Sequence, residues 1–293
     1  MTIKHLVLSG GGPTGFVTYG VIKQLWIKKF WKLSNIQSIY GCSIGALVGA
    51  ILALKYQWEW LDDFFMKRPW YKLFEIQPEA VFNIFDKQGL IDDFVEKVME
   101  PMLTAKGLTV QSTMKDLYEY SKIDLHVFTT DINTSIPTKI DISAKTHPNL
   151  SIVKAIAMSC SLPILFKPIY FEGRCCIDGG LVNNFPLNDC LDTQKCDPNE
   201  VLAIKNIWCQ PDITSNPSSS IFEYLFVIIK RLQLALDSTE KQRTIKNTVR
   251  CLINNLNSFD EWQYPFKHEK GRIQLMEQGM QHADIFESYL NSD

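Results

Sequence analysis

The chain has no surplus of either charge. Thirty Lys and Arg stand against 32 Asp and Glu, a formal net charge of -2 over 293 residues. That balance supplies no basic stripe to hold a phosphate backbone, so nucleic acid is excluded as an expected partner. It gives no long-range pull toward anionic lipid either. Long apolar runs are missing as well: the longest nearly charge-free stretch, 41–54, is rich in Gly and Ala and far short of the roughly 20 residues that span a bilayer. The first residues, Met1-Thr2-Ile3-Lys4-His5-Leu6, lack the charged and apolar regions of a secretory leader. The expectation is a cytoplasmic protein, or one peripheral on membranes.

Zinc spacing is absent despite eight cysteines. There is no C-x-x-C pair and no Cys/His cluster, and Cys175 and Cys176 are strand neighbours that face opposite sides. The expected state is free, mostly buried thiols in a reducing compartment, with no metal and no cofactor. What is present is ordinary for a globular chain: 46% apolar and 21% charged residues, enough to bury one large α/β core or two small ones.

Apolar runs of strand length, at 6–9, 36–40, 125–130 and 201–205, alternate with helix-length segments that include 16–30, 46–56 and 151–159. Such alternation predicts an α/β fold with a mostly parallel sheet and helices on both faces. The runs 168–171 and 174–177, joined by Glu172-Gly173, read as a hairpin, so the sheet is expected to be mixed. The expected organisation is a catalytic domain over 1–210, with an aromatic-rich helical cap at about 56–100, and a C-terminal helical extension over 211–293 packed on it. Ten aromatics lie between Tyr56 and Phe85. They suit helices packed on the sheet, or a cap over an acyl-chain groove, or a surface that dips into lipid. A polar Pro/Ser loop at 211–220 precedes an apolar helix at 221–236, which suits closure of the core or a membrane anchor.

Three glycine motifs carry chemistry. Gly41-Cys42-Ser43-Ile44-Gly45 spells G-x-S-x-G between a predicted strand and a predicted helix, where a serine hydroxyl is pushed outward on a sharp turn. Gly10-Gly11-Gly12-Pro13-Thr14-Gly15 follows the first strand and opens a helix, so consecutive N–H groups converge on one anion. No lysine of the G-K-[ST] type follows, which excludes a nucleotide P-loop, and the spacing misses G-x-G-x-x-G. Paired with an elbow serine, this loop reads as an oxyanion hole. Asp178-Gly179-Gly180 follows the predicted strand 174–177, so the aspartate lies at a strand end, where open α/β folds place their sites.

These motifs, in this order, resemble the patatin-like phospholipase family over roughly residues 3–188. The stretch Leu181-Val182-Asn183-Asn184-Phe185-Pro186 and the small-residue segment 155–163, followed by Phe166 and Pro168, are similar to the family's pattern too. The resemblance implies a three-layer α/β/α fold and a Ser-Asp dyad. Ser43 would be the nucleophile, Asp178 the general base, and the amides of Gly10, Gly11 and Gly12 the oxyanion donors. A free aspartate has a pKa near ~3.9, and burial beside groups such as Ile177 would raise it toward a useful base. The implied activity is that of a serine lipid acyl hydrolase of phospholipase A or lysophospholipase type, acting on lipid at a membrane or micelle surface. An acyltransferase using the same acyl-Ser43, or a silent lipid- or protein-binding module, are the alternatives. His268 or His282 would be needed to complete a triad, and neither has motif context. Two departures from the family pattern stand out: Thr14 occupies a position where many relatives carry Arg or Lys, and Pro13 has no N–H to donate.

Overall fold

Strand β1 (His5–Leu8) is buried at all four residues. Leu6 and Leu8 join one apolar cluster and Val7 joins a second on the opposite face. A strand covered on both sides needs apolar residues at every position, and that is the mark of a parallel sheet. The computed structural model describes residues 2–74, 89–91, 93–208, 221–237, 242–254, 256 and 258–290. In it β1 pairs in parallel with β2 (Ser38–Cys42) on one edge and with β7 (Val201–Trp208) on the other. β7 continues in parallel to β8 (Thr248–Ile253), and β2 to β3 (Asp124–Asp131). With β4 (Thr138–Ile142), β5 (Ile169–Phe171) and β6 (Arg174–Asp178) these make an eight-stranded mixed sheet.

The parallel order breaks at β3, and that break positions the site. Phe128 faces Cys42 of β2 and Asp141 of β4, while Thr129 faces Asp178 of β6 and Ile140 of β4. β4 therefore holds one edge of β3, and β2 and β6 share the other, end to end. Cys42 and Asp178, the last residues of their strands, sit opposite consecutive residues of β3. The predicted hairpin β5–β6 is present, its turn residues Glu172 and Gly173 at φ 50° and 76°, as a two-residue hairpin turn requires.

Helices α1 (Gly15–Ile27), α2 (Ile44–Ala53), α3 (Trp58–Lys67), α4 (Phe94–Thr104), α5 (Met114–Ser121) and α6 (Ile152–Cys160) precede the hairpin. After it come α7 (Leu187–Gln194), α8 (Ile221–Asp237), α9 (Phe259–Lys267) and α10 (Glu269–Leu290). α7 covers the face that carries Val7 and Tyr40, while α1, α2, α6 and α10 supply the larger cluster on the other. This is the expected layered α/β arrangement with helices added at the C-terminal side.

Two strands lie beyond the sequence prediction. β8 turns Val249, Cys251 and Ile253 inward and Arg250 and Leu252 outward. One wet face places charge inside the apolar run, which hides an edge strand from an argument based on continuous hydrophobicity. Residues 211–293 thus supply sheet as well as helix. β4 is polar for the same reason, its first two residues being exposed. In the aromatic-rich stretch, Phe64, Phe65, Trp70 and Phe74 are buried, whereas Trp60 and Tyr71 are exposed. Phe82, Phe85 and the 211–220 loop lie outside the described residues. Among the described residues no helix is long and apolar enough to cross a membrane.

Candidate active site

β2 delivers its chain straight into α2, and Ser43 is the single residue between them. Its backbone stands at φ 51° and ψ -123°, a region that only glycine enters without cost. Three contacts hold it there. Its N–H donates to Ser159 Oγ at 2.8 Å, and its carbonyl accepts from the N–H groups of Ala46 and Leu47 at 2.9 and 3.2 Å. Ser159, on α6, donates in turn to the Phe128 carbonyl of β3. Gly45 lets the first turn of α2 press on β1, since a Cβ there would stand 2.4 Å from the Leu8 carbonyl oxygen. Pinned at both ends, the serine is held in this conformation and its side chain in one direction.

The direction it points is toward Asp178. Ser43 Oγ donates to Asp178 Oδ2 at 2.7 Å. The other carboxylate oxygen accepts the Gly180 N–H at 2.8 Å, and the Asp178 N–H donates to the Ser161 carbonyl at 3.0 Å. Both residues are buried, so the pair is shielded from bulk water. Two thiols flank it. Burial first, and then the charge of Asp178, pushes Cys42 and Cys160 well above the usual thiol pKa. Both stay protonated at neutral pH and are poor nucleophiles beside Ser43. The seven described cysteines are all free, six of them buried.

The glycine loop divides into two parts. Gly10 donates its N–H to the Asn184 carbonyl at 3.1 Å. That corrects the expectation that Gly10 is an oxyanion donor, because its one proton is already committed. Gly11 and Gly12 instead line the pocket that holds Ser43 and Asp178. Thr14 does not face this pocket: it is fully buried, and its Oγ1 accepts from Asn206 Nδ2 at 2.7 Å. The same amide donates to the Gly10 carbonyl at 3.1 Å, so Thr14 and Asn206 tie the loop to β7. Thr14 thus serves the loop's shape and not its charge.

The pocket is walled in part by the rings of Phe74, Phe94, Phe166, Trp208, Trp262 and Phe266. Trp262 and Phe266 come from α9 and went unnoticed in the sequence, where nothing marks them apart from other aromatics. Trp262 lies directly on the glycine loop. A Cβ at Gly12, whose φ is 62°, would stand 2.5 Å from its indole ring. No histidine lines the pocket among the described residues. His268 packs on Tyr264, His282 lies by the Leu252 carbonyl, and His126 stacks on Tyr40.

Comparison with known proteins gives the following. The family model for patatin-like phospholipase matches residues 6–191, more than half of the chain. An uncharacterized protein of Acanthamoeba polyphaga mimivirus is 28% identical over 189 residues, 63% of this chain and 60% of that one. A protein of Invertebrate iridescent virus 6 named as a probable lipid hydrolase, 463L, is also 28% identical over 189 residues, 63% of this chain and 62% of its own. The chain thus spans somewhat under two thirds of the length of these relatives. Among solved structures, VipD from Legionella pneumophila superposes over 94% of this chain and 67% of its own, with a TM-score of 0.50 and 18% identity. At that identity the likeness concerns the fold alone.

Proposed function

Because the chain belongs to the patatin-like phospholipase family, we propose that it is a serine lipid acyl hydrolase of phospholipase A or lysophospholipase type. One observation carries the reading: Ser43 Oγ donates directly to Asp178 Oδ2 at 2.7 Å, in a pocket also lined by Gly11 and Gly12. A contact that short leaves no space for an imidazole between hydroxyl and carboxylate, which supports a dyad over a triad.

The chemistry follows from the positions. Asp178 takes the Ser43 proton as Oγ attacks the ester carbonyl, and serine becomes a competent nucleophile only because that base is in contact. The carbonyl oxygen gains negative charge in the tetrahedral intermediate, and the N–H groups of Gly11 and Gly12 are its donors. Each such donor is worth about 10²–10³ in rate. Asp178 then returns its proton to the leaving alcohol, and the acyl group stays on Ser43. Water, deprotonated by the same carboxylate, releases the fatty acid and restores the serine. The aromatic wall excludes water and takes up an apolar chain, which favours lipid esters presented from a membrane or micelle over soluble polar ones.

The test is active-site labelling joined to product analysis. A fluorophosphonate should label the folded protein and fail to label Ser43→Ala. Ester hydrolysis should fall by at least about 10³-fold in both Ser43→Ala and Asp178→Asn. Mass spectrometry of a mixed lipid panel, with Ser43→Ala as control, should show lysolipid and free fatty acid appearing together. Hydrolysis that survives Ser43→Ala, or that falls equally in His268→Ala or His282→Ala, would overturn the dyad.

A further inference from the structure

Phe166 stands where three cavities meet. It lines the catalytic pocket, a groove between the start of α4 and α6, and a third cavity beside the β3–β4 turn. The third cavity shares Phe166 alone with the catalytic pocket. The α4–α6 groove shares Phe94, Cys160 and Phe166 with it, so one continuous wall separates the two.

The loop that carries this ring is held in a costly conformation. Ile164 has φ 77°, a left-handed value that a β-branched residue adopts only under constraint. The constraint is visible: Leu90 donates its N–H to the Ile164 carbonyl at 3.0 Å, and Ile91 donates to the Leu165 carbonyl at 2.9 Å. At the other end of the loop the Ser161 carbonyl accepts the Asp178 N–H. These backbone hydrogen bonds hold the loop that runs from Ser161, the partner of Asp178, to Phe166.

We propose that the α4–α6 groove receives the acyl chain of a long-chain ester whose carbonyl lies at Ser43, and that Phe166 sets how far the chain reaches. This rests on the acyl-hydrolase reading above. A carbonyl held between Ser43 Oγ and the Gly11 and Gly12 amides must send a long chain out of this pocket past its lining rings. The α4–α6 groove adjoins the pocket across three residues, Phe94, Cys160 and Phe166, and the third cavity across Phe166 alone, so the groove offers the wider passage. Val95, Val153, Ala157 and Ile169 floor that space, while Lys167 and Asp93 pair across its rim at 3.3 Å. An apolar floor under a polar rim fits methylenes, and each methylene buried there is worth about fourfold in binding.

The experiment compares kcat/KM for p-nitrophenyl esters of four-carbon and sixteen-carbon acids, in fixed mixed micelles. In parallel, a fluorescent sixteen-carbon fatty acid is titrated into the Ser43→Ala protein. Phe166→Ala should raise the long-to-short ratio about tenfold, and Ala157→Phe, which fills the groove away from the dyad, should lower it about tenfold. Ile169→Trp fills the same groove from β5 and replaces Ala157→Phe if that variant does not fold. Probe affinity should follow the same order. Ratios and affinities that move less than about twofold in folded variants would overturn the groove while leaving the hydrolase reading intact. Affinities that follow the order in a protein that cleaves no ester would leave the groove standing and overturn the hydrolase.

Discussion

A serine at φ 51° and ψ -123° is held by the fold against its own preference, at a cost of about 1–3 kcal/mol. The two ways of removing its hydroxyl should therefore differ. Ser43→Ala keeps the Cβ and the strain, whereas Ser43→Gly removes both and gives back about 0.5–1 kcal/mol in unfolded-chain entropy. Urea denaturation should find Ser43→Gly more stable than Ser43→Ala by about 1 kcal/mol, with neither hydrolysing esters. Equal midpoints, or the reverse order, would mean that the elbow stores no strain. The turns that carry Ser43 and Asp178 were legible in the sequence because a few glycines within five residues encode each of them locally. Gly10 was misread for the opposite reason: the carbonyl that claims its N–H belongs to Asn184, on a segment the chain reaches only after crossing β3 and β6. Ser159 was read as part of a helix, since nothing local says that its hydroxyl meets the Ser43 amide.

Elements decide what residues cannot. The alternation of strand and helix lengths was enough to place β1, β2, β3 and β7, because parallel strands buried on both faces are written as plain apolar runs. That β2 and β6 would abut on one edge of β3 was not legible, since register is a property of pairing and not of either strand. The contribution of α9 lay equally out of reach: it comes after the stretch 6–191 that matches the family. Trp262 gives α9 a measurable role. Its ring is buried against Gly12, so its loss should let the glycine loop shift, and a displacement of about 1 Å costs about 10²-fold in rate. Trp262→Ala should lower kcat by that order and destabilise the fold by about 3–5 kcal/mol. Trp262→Phe, which keeps most of the contact, should recover the larger part of both. Steady-state kinetics decide between positioning and mere packing: a loss confined to KM, or stability lost with kcat unchanged, would sink the positioning role.

At the scale of the whole molecule the distinguishing property is how stability depends on pH, and the control is a buried histidine that does not line the pocket. His126 is buried inside β3, stacked on Tyr40 with ring centroids 4.1 Å apart. Its Nδ1 lies 2.9 Å from both oxygens of Asp141 and its Nε2 lies 3.4 Å from Asp124. Burial alone would push this imidazole down, but the two carboxylates outweigh it and raise its pKa to about 9. A histidine whose pKa is raised on folding binds its proton more tightly in the native state. Its contribution to stability is complete below the unfolded value of about 6.5 and is lost as pH climbs through about 9, a span worth on the order of 3 kcal/mol. Burial lowers the pKa of His5 and of His282, so those two act in the opposite sense and weaken the fold as pH falls below about 6.5. The buried thiols add a further loss above about 8.5, where unfolded cysteine ionises. Stability should therefore peak near neutrality and fall on both sides, with the alkaline slope between about 6.5 and 8.5 belonging to His126. Urea midpoints measured across that interval should decline for the native protein and stay nearly level for His126→Gln. Asp141→Asn, which removes one of the two carboxylates, should give a shallower slope than the native protein, and an equal slope in all three would rule out this histidine as the source.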